Sequence, residues 1–503
     1  MKIKSREQKL MWNTFSSTFY QIVSVVCGFV LPRLILESYG SGVNGLVNSI
    51  TQFLSVIAFL ELGVGAVVQS ALYKPLADKD NLQISRIIKS ANDFFSKLAV
   101  ILAVYVFALI VFYPIYINRE FDCVFSGILI FSISISSFAR YYFGVVDRLL
   151  LSADQRGYIQ YNAQTLTLIA NTIACVILIK LGASIQVVKL STSLIYLLRP
   201  IFLRIYTNSH YSIDRKIKNE IEPIKQKWNG VAQHFSAVVL DCADTVILTL
   251  FSKMSDVSIY SVYYLVVSGI KQLFLSMMNG VQSLIGELWA KQELKELNEF
   301  FGWVEWSIHT LVVFIFGCTG TLIVPFVTVY TNEITDANYI VPVFGLLLTI
   351  AHGFHCLRLP YNIMILAANH YKQTQNNYIF AAIVNIVVSV LVVSRFGLVG
   401  VAVGTLVAML FQTVWMAWYI SKNLNKWPIK RFIKQIGIDV LEFVVAFFVC
   451  GFLVLDNVSF FSWIILALKT SFVWIIVLGC FNLLVYPDKV KKLALKLKNR
   501  LKK

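Results

Sequence analysis

The sequence predicts an all-α integral membrane protein with about fourteen transmembrane helices: two pseudo-symmetric six-helix lobes followed by two C-terminal helices. Three observations predict it. Of 503 residues, 57% are hydrophobic and only 14% charged, whereas soluble domains carry about 25% charged residues. Apolar runs of about 20 residues, the length that crosses a hydrocarbon core of about 30 Å, recur along the whole chain. The basic residues fall mainly in alternate loops. Helices satisfy their own backbone in lipid, and the runs lack the period-2 alternation of barrel strands.

The elements follow in chain order. The first ten residues are basic (Lys2, Lys4, Arg6, Lys9) and lead into an apolar run with no small-residue cleavage site before Arg33, which reads as a retained first helix. Spans are expected at 12–36, 44–71, 94–117, 123–146, 158–180 and 184–206, then at 230–251, 258–286, 302–331, 338–367, 376–394 and 398–420, and finally at 436–455 and 459–486. With the N-terminal end in the cytoplasm, the loops and tails on that side hold 31 of the 44 Lys and Arg residues. The opposite side holds four, Arg119, Lys180, Lys253 and Arg395, and nine lie within spans. This is the positive-inside bias, and it places both termini in the cytoplasm. The net charge of +17 is then mainly a topology signal. Spread over short loops, it speaks against a nucleic-acid partner. The outer loops are too short for an external domain.

Residues 1–206 and 230–420 look like one unit used twice, shifted by about 215 residues as the following pairs show. Trp12-Asn13 matches Trp228-Asn229, Asn171 matches Asn385, Gly182 matches Gly397, and Leu151–Asp154 matches Leu366–Asn369. A six-span unit enters the membrane from one side each time, giving a parallel repeat of the kind some transporters use. The stretch 207–229, with Arg215, Lys216, Lys218, Lys225 and Lys227, reads as a cytoplasmic linker, either an interfacial amphipathic helix or a solvated loop. Residues 421–486 hold the two additional spans. In the basic tail 487–503, Val490, Leu493, Leu497 and Leu501 share one helical face, as in a helix lying on the anionic leaflet.

Ionisable residues inside spans are costly and mark candidate sites. Arg33 has Glu37 four residues on, so a local pair competes with a cavity role. Arg140, Gly144, Asp147 and Arg148 share a face of the fourth span, with Glu61 a candidate partner. Asp241 and Asp244 sit mid-span at i and i+3, with His234 two turns earlier; two such carboxylates need a cation or a basic partner. They are candidates for binding sodium or carrying a proton, and Lys271 or Arg358 are the alternative partners. Tyr264, Ser268, Lys271 and Gln282 form a polar stripe, and His352, His355 and Arg358 share a face before Pro360. Two histidines without a third ligand do not make a metal site, so none is expected, and His309 reads as a packing residue. The eight cysteines, Cys27, Cys123, Cys175, Cys242, Cys318, Cys356, Cys450 and Cys480, are scattered without a CxxC pair and read as small apolar fillers. If Arg33, Arg140, Lys271 and Arg358 converge, they form a cationic cleft suited to phosphate.

The chain resembles the Wzx-type polysaccharide transporters of bacteria, in the superfamily that also contains multidrug exporters and the lipid II flippase. Leu31-Pro32-Arg33, Tyr39-Gly40 and Asn44-Gly45-Leu46 carry the resemblance, with Phe59–Gly65 and Ala71–Ala77. It implies a MATE-like, V-shaped pair of lobes around a central cationic cavity. The substrate-binding candidates there are Arg33, Arg140, Arg148, Lys271, Arg358, His355 and Glu61. It also implies movement of undecaprenyl-diphosphate-linked oligosaccharide to the outer leaflet of the bacterial cytoplasmic membrane, with a polysaccharide polymerase and assembly proteins as partners. The two extra spans are similar to those of lipid-carrier flippases and would offer a groove for the polyprenyl tail. The lipid II flippase has a cation site on the first and fifth helices of its C-lobe, and Asp241, Asp244 and Asn385 lie on the matching helices. No cofactor or catalytic residue is expected beyond a coupling cation, sodium or a proton. The rival readings are a cation-coupled multidrug exporter of the same superfamily and a membrane-embedded polymerase or glycosyltransferase. The latter would show a sizeable outer loop or an acidic catalytic motif.

Overall fold

A computed structural model describes residues 6–56, 58–117, 120–217, 231–425 and 427–501. Among the described residues there are helices and no strands. They run α1 (Arg6–Ser55), α2 (Ala58–Asp78), α3 (Asn81–Phe112), α4 (Cys123–Ala139), α5 (Val145–Ala153), α6 (Gly157–Lys180) and α7 (Ile185–His210). Next come α8 (Val231–Phe251), α9 (Met254–Ala290), α10 (Leu294–Tyr330), α11 (Pro342–Leu357), α12 (Leu359–Ala367), α13 (Tyr371–Phe396) and α14 (Leu398–Asn423). The chain ends with α15 (Ile429–Cys450), α16 (Phe460–Val485) and α17 (Pro487–Leu501).

Eleven helices are long and apolar enough to cross a membrane, the first counted from Met11 to Ser55. Gly40, with φ 81°, divides that first helix in two. This left-handed backbone position suits a residue without Cβ. The expected second span, 44–71, accordingly straddles the end of α1 and α2. Dividing the first helix at Gly40 and adding α8 and α15, 21 and 22 residues long, gives fourteen. The helix surfaces suit lipid. Val104 and Phe107 of α3 are 66% and 69% exposed, and Leu468 of α16 is 68% exposed. In water each would forfeit about 1.5–3 kcal/mol of burial.

Several helices outrun their expected spans. The third starts at Asn81 rather than 94 because Asp80 caps it, accepting from Gln83 N at 3.0 Å. Its first turns are polar on one side and extend beyond the hydrocarbon. Similarly α10 begins at Leu294 rather than 302. The linker is not helical between Tyr211 and Ile217, and residues 218–230, with Lys218, Lys225 and Lys227, lie outside the described residues. The His234 side chain is likewise not described. The tail does form a helix, α17. The eight cysteines are free thiols.

The chain divides into two compact units, Met1–Ser261 and Val262–Lys503. In the first, α1 packs along α6, α4 and α6 against α7, and α2 against α5 and α8. In the second, α13 and α11 pack on α14, and α10 contacts α11, α15 and α16. Trp474, fully buried, joins the last two spans to α10 in a core with Val313, Ala446, Cys450 and Leu478.

The backbone repeats with the sequence. Among the described residues, the four non-glycine residues with positive φ pair off: Lys79 with Gln292, 213 apart, and Gln155 with Asn369, 214 apart. Gly182 and Gly397 are 215 apart. Asn171 bonds Tyr196 on the next helix, and Asn385 bonds Thr405 on its next helix. Both fourth spans are interrupted. A π-helical turn, Arg140–Gly144, separates α4 from α5, and Arg358 separates α11 from α12, which has Pro360 in its first turn.

Candidate functional site

The first unit contains a cavity of about 340 Å3 between the interrupted fourth span and α6 and α7. Three arginines line it: Arg140 from the first position of the π-helical turn, Arg148 from α5 and Arg199 from α7. π-Bulges inside helices occur often at functional sites. Here the bulge turns Arg140 toward Glu61 of α2. Glu61 is 3% exposed and accepts from Arg140 Nη2 on one oxygen and from Arg148 Nη2 on the other. Arg199 stacks on Tyr196 with its guanidinium 3.8 Å from the ring centroid, and its Nε donates to Thr167 Oγ1 at 2.5 Å. Three guanidiniums against the one bridging carboxylate leave the wall formally positive. Ser136, Ser137, Gln160 and Gln164 supply neutral hydrogen-bonding groups. An anion with several acceptor oxygens is the ligand this chemistry fits.

Gly144 closes the floor of this cavity. A Cβ there would lie 2.8 Å from Pro200 Cβ. Gly144→Leu is expected to cost about 1–3 kcal/mol by overpacking, read as a lower melting temperature in detergent. An unchanged melting temperature would mean that α7 can move aside.

Just below the arginines a second cluster locks the same helices. Asp147 is fully buried and accepts from Thr207 Oγ1 at 2.7 Å, Arg215 Nη2 at 2.6 Å and Arg204 Nη1 at 3.1 Å. Asp154 accepts from Tyr211 OH at 2.5 Å and pairs with Lys9 at 3.1 Å and Arg156 at 2.7 Å. Burial, then the Asp154 carboxylate beside it, push the Tyr211 phenol well above its ordinary value, so it stays a donor.

In the second unit, Lys271 and Tyr264 of α9 meet His352, His355 and Arg358 at the break after α11. Lys271 is 7%, Arg358 8% and His352 3% exposed. Arg358 Nη2 and His355 Nδ1 are 2.9 Å apart, so that nitrogen is the acceptor. Lys271 Nζ donates to Tyr264 OH at 3.4 Å, and the Tyr264 ring packs edge-on against His352, centroids 5.6 Å apart. Neither ring nitrogen of His352 has a hydrogen-bond partner among the described residues.

No protein-family model matches the sequence, and no curated protein matches it. Solved structures do. The inward closed conformation of the lipid II flippase MurJ superposes with a TM-score of 0.72 at 14% identity, covering 95% of this chain and 100% of that one. An inward-facing multidrug-resistance MATE transporter of the MOP superfamily gives 0.62 at 12% identity, over 79% and 94%. A MOP superfamily transporter from Pyrococcus furiosus, with a binding pocket described as reversed in polarity, gives 0.54 at 13%, over 82% and 94%. The fold is the MurJ/MATE fold.

Within that fold the remaining sequence-derived candidates take these places. Arg33 pairs with Glu37 on its own helix, Nε to Oε1 at 2.5 Å. Asp244 is 2% exposed and accepts from Tyr260 OH at 3.0 Å, whereas Asp241 is exposed. Asn385 is fully buried and donates to Thr405 Oγ1 at 3.0 Å. Among the described residues, no group of three or more His, Cys, Asp or Glu is placed to hold a metal.

Sequence reasoning misses Arg199, which sits near the end of an expected span and reads as a snorkelling residue. It also misses a polar network in the second unit. His309 is buried with a carboxylate partner, Nδ1 2.5 Å from Asp439 Oδ2, and its Nε2 is 3.3 Å from Tyr361 OH. Tyr361 in turn donates to Glu305 at 2.9 Å, and Arg431 pairs with Glu305 at 3.2 Å. The available signal was three carboxylates, Glu305, Asp439 and Glu442, inside apolar runs.

Proposed function

We propose that this chain is a flippase that carries undecaprenyl-diphosphate-linked oligosaccharide repeat units from the inner to the outer leaflet of the bacterial cytoplasmic membrane. The units would feed assembly of a cell-surface polysaccharide such as capsule, exopolysaccharide or O-antigen. The cavity lined by Arg140, Arg148 and Arg199 carries this reading. A diphosphate offers the bidentate acceptors that guanidinium groups recognise. Arg140 follows Cys123 by 17 residues, about 26 Å along the helix. By the charge rule that is the cytoplasmic end, where the substrate is made available.

The mechanism is alternating access. The diphosphate enters from the cytoplasm, exchanges water for arginine, and leaves on the outer side after the site reopens there. The polyprenyl tail stays in lipid. An apolar cavity of about 340 Å3, lined by Val312, Phe316, Gly353, Phe443 and Val444, lies where α15, the first of the two extra spans, meets α10 and α11 and would receive part of it. The membrane potential supplies about 2.3 kcal/mol per charge per 100 mV. The likeness to a flippase over nearly the whole chain supports a lipid-linked substrate. The drug exporters cover less of it.

The test is complementation of a flippase-deficient strain, with the accumulating lipid-linked intermediates identified by mass spectrometry. Restored surface polysaccharide and disappearance of the intermediate are expected. A strain that gains drug resistance yet still accumulates the intermediate would support the multidrug exporter instead. Lys271→Ala is expected to lower translocation at least about tenfold, the effect of losing one charge-assisted contact, at normal membrane abundance. Full activity of that variant would remove Lys271 from the substrate's route.

A further inference from the structure

A second cationic cavity, of about 320 Å3, opens in the second unit between the starts of α10 and α15 and the start of α17. Arg431, Lys489 and Lys492 line it together with the indole rings of Trp303 and Trp427. Arg431 stacks on Trp427, 3.8 Å from the ring centroid, which fixes the plane of its guanidinium. Lys489 Nζ donates to the Gly302 carbonyl at 3.0 Å and lies 5.4 Å over the Trp306 ring and 5.5 Å over Tyr486. A carbonyl and two π faces thus hold the ammonium.

We propose that this cavity binds the phosphate of an anionic phospholipid headgroup from the cytoplasmic leaflet. Three observations support that occupant. All three helix ends around the cavity belong to the side of the membrane that the basic loops mark as cytoplasmic, so the cavity lies at headgroup level. Trp303 and Trp427 are interfacial aromatics of the kind that sit at that level. Basic pockets between helices at this level recognise anionic headgroups. Finally, α17 extends the cavity along the surface, and Leu493, one turn beyond Lys489 and 43% exposed, would rest on the acyl boundary.

Three cations, Arg431, Lys489 and Lys492, line the cavity against two carboxylates, Glu299 and Asp488, so its lining is formally positive by one charge. Arg431 faces Lys489 from α15, Lys492 from its own helix, and Glu305 and Glu299 from α10, with Asp488 beside it and the Tyr486 phenol nearby. Burial, then the Arg431 charge, lower the Lys489 ammonium to about 8. A phosphate would need the charged ammonium, which is largely present at pH 7 and lost as the pH passes about 8, so binding should weaken as the pH rises from 7 to 9. The site is separate from the arginine cavity of the first unit and does not depend on the flippase reading.

The experiment is native mass spectrometry of the delipidated full chain titrated with phosphatidylglycerol or phosphatidylcholine. The wild type is expected to retain one phosphatidylglycerol in preference to phosphatidylcholine. The double variant Lys489→Gln, Lys492→Gln should lose that preference by at least about tenfold, while Arg431→Lys keeps the Glu305 pair and reports the stacked guanidinium alone. Equal retention by wild type and double variant would overturn the proposal. Competition by millimolar inorganic phosphate would also overturn it, because the occupant would then be a soluble anion. Transport plays no part in the readout, so its failure and failure of the flippase reading are distinguishable.

Discussion

Replacing Arg140 with alanine is expected to abolish translocation while leaving the protein in the membrane at normal abundance. Arg140 contributes one of three guanidiniums to the cavity of the first unit, and its side chain is 54% exposed there. Its removal leaves Glu61 still paired with Arg148, so no buried carboxylate is stranded and the fold should survive. The loss falls on the ligand. A charge-assisted hydrogen bond contributes about 1.5–3 kcal/mol, which corresponds to a roughly ten- to 150-fold weaker grip on a diphosphate. Arg140→Lys separates charge from geometry, since an ammonium keeps the charge but loses the bidentate fork. It should retain partial activity. The measurement is turnover of lipid-linked intermediate in a complemented strain, normalised to fluorescence of a tagged protein. Normal transport by the alanine variant would remove the cavity from the mechanism.

The largest stability effect is expected at Asp147. Its carboxylate is wholly buried and gathers Arg204, Arg215 and Thr207, joining the fourth span, α7 and the segment that follows α7. Asp147→Ala leaves two arginines facing a buried gap without an acceptor. Breaking such a pair costs about 3–5 kcal/mol, a large fraction of the marginal stability of a typical fold. The readout is thermal unfolding in detergent and the fraction of protein recovered monodisperse. Asp147→Asn keeps an acceptor for Thr207 and should lose less. Combining Asp147→Ala with Arg204→Gln and Arg215→Gln should cost less than the separate losses added together, because the partners act as one unit. A near-neutral Asp147→Ala would mean that water replaces the carboxylate.

The residues show how far the sequence reaches. Arg140 and Glu61 are both legible as charges inside apolar runs, and their pairing can be named as one option. Only the fold brings them together across 79 residues. Lys271, Tyr264, His352, His355 and Arg358 are legible as two polar stripes because helical spacing puts them on single faces. That the stripes meet is a fact of packing between α9 and α11. Arg199 is invisible as a site residue: near a span end, an arginine that snorkels and one that turns inward read alike. His309 and Asp439, 130 residues apart, are likewise two isolated oddities until α10 and α15 are packed.

By itself the sequence determines the solvent, the element type and the approximate number of spans, and it shows landmarks that recur at a shift of about 215 residues. These follow from local quantities: apolar length against bilayer thickness, the charge of each loop, and glycine or a turn residue at matching positions such as Gly182 and Gly397. Tertiary structure alone decides which charges share a cavity and which neutralise one another. In a low-dielectric interior, a guanidinium beside a carboxylate and one beside a cavity differ by a few ångströms of side-chain placement, and no local pattern encodes that distance.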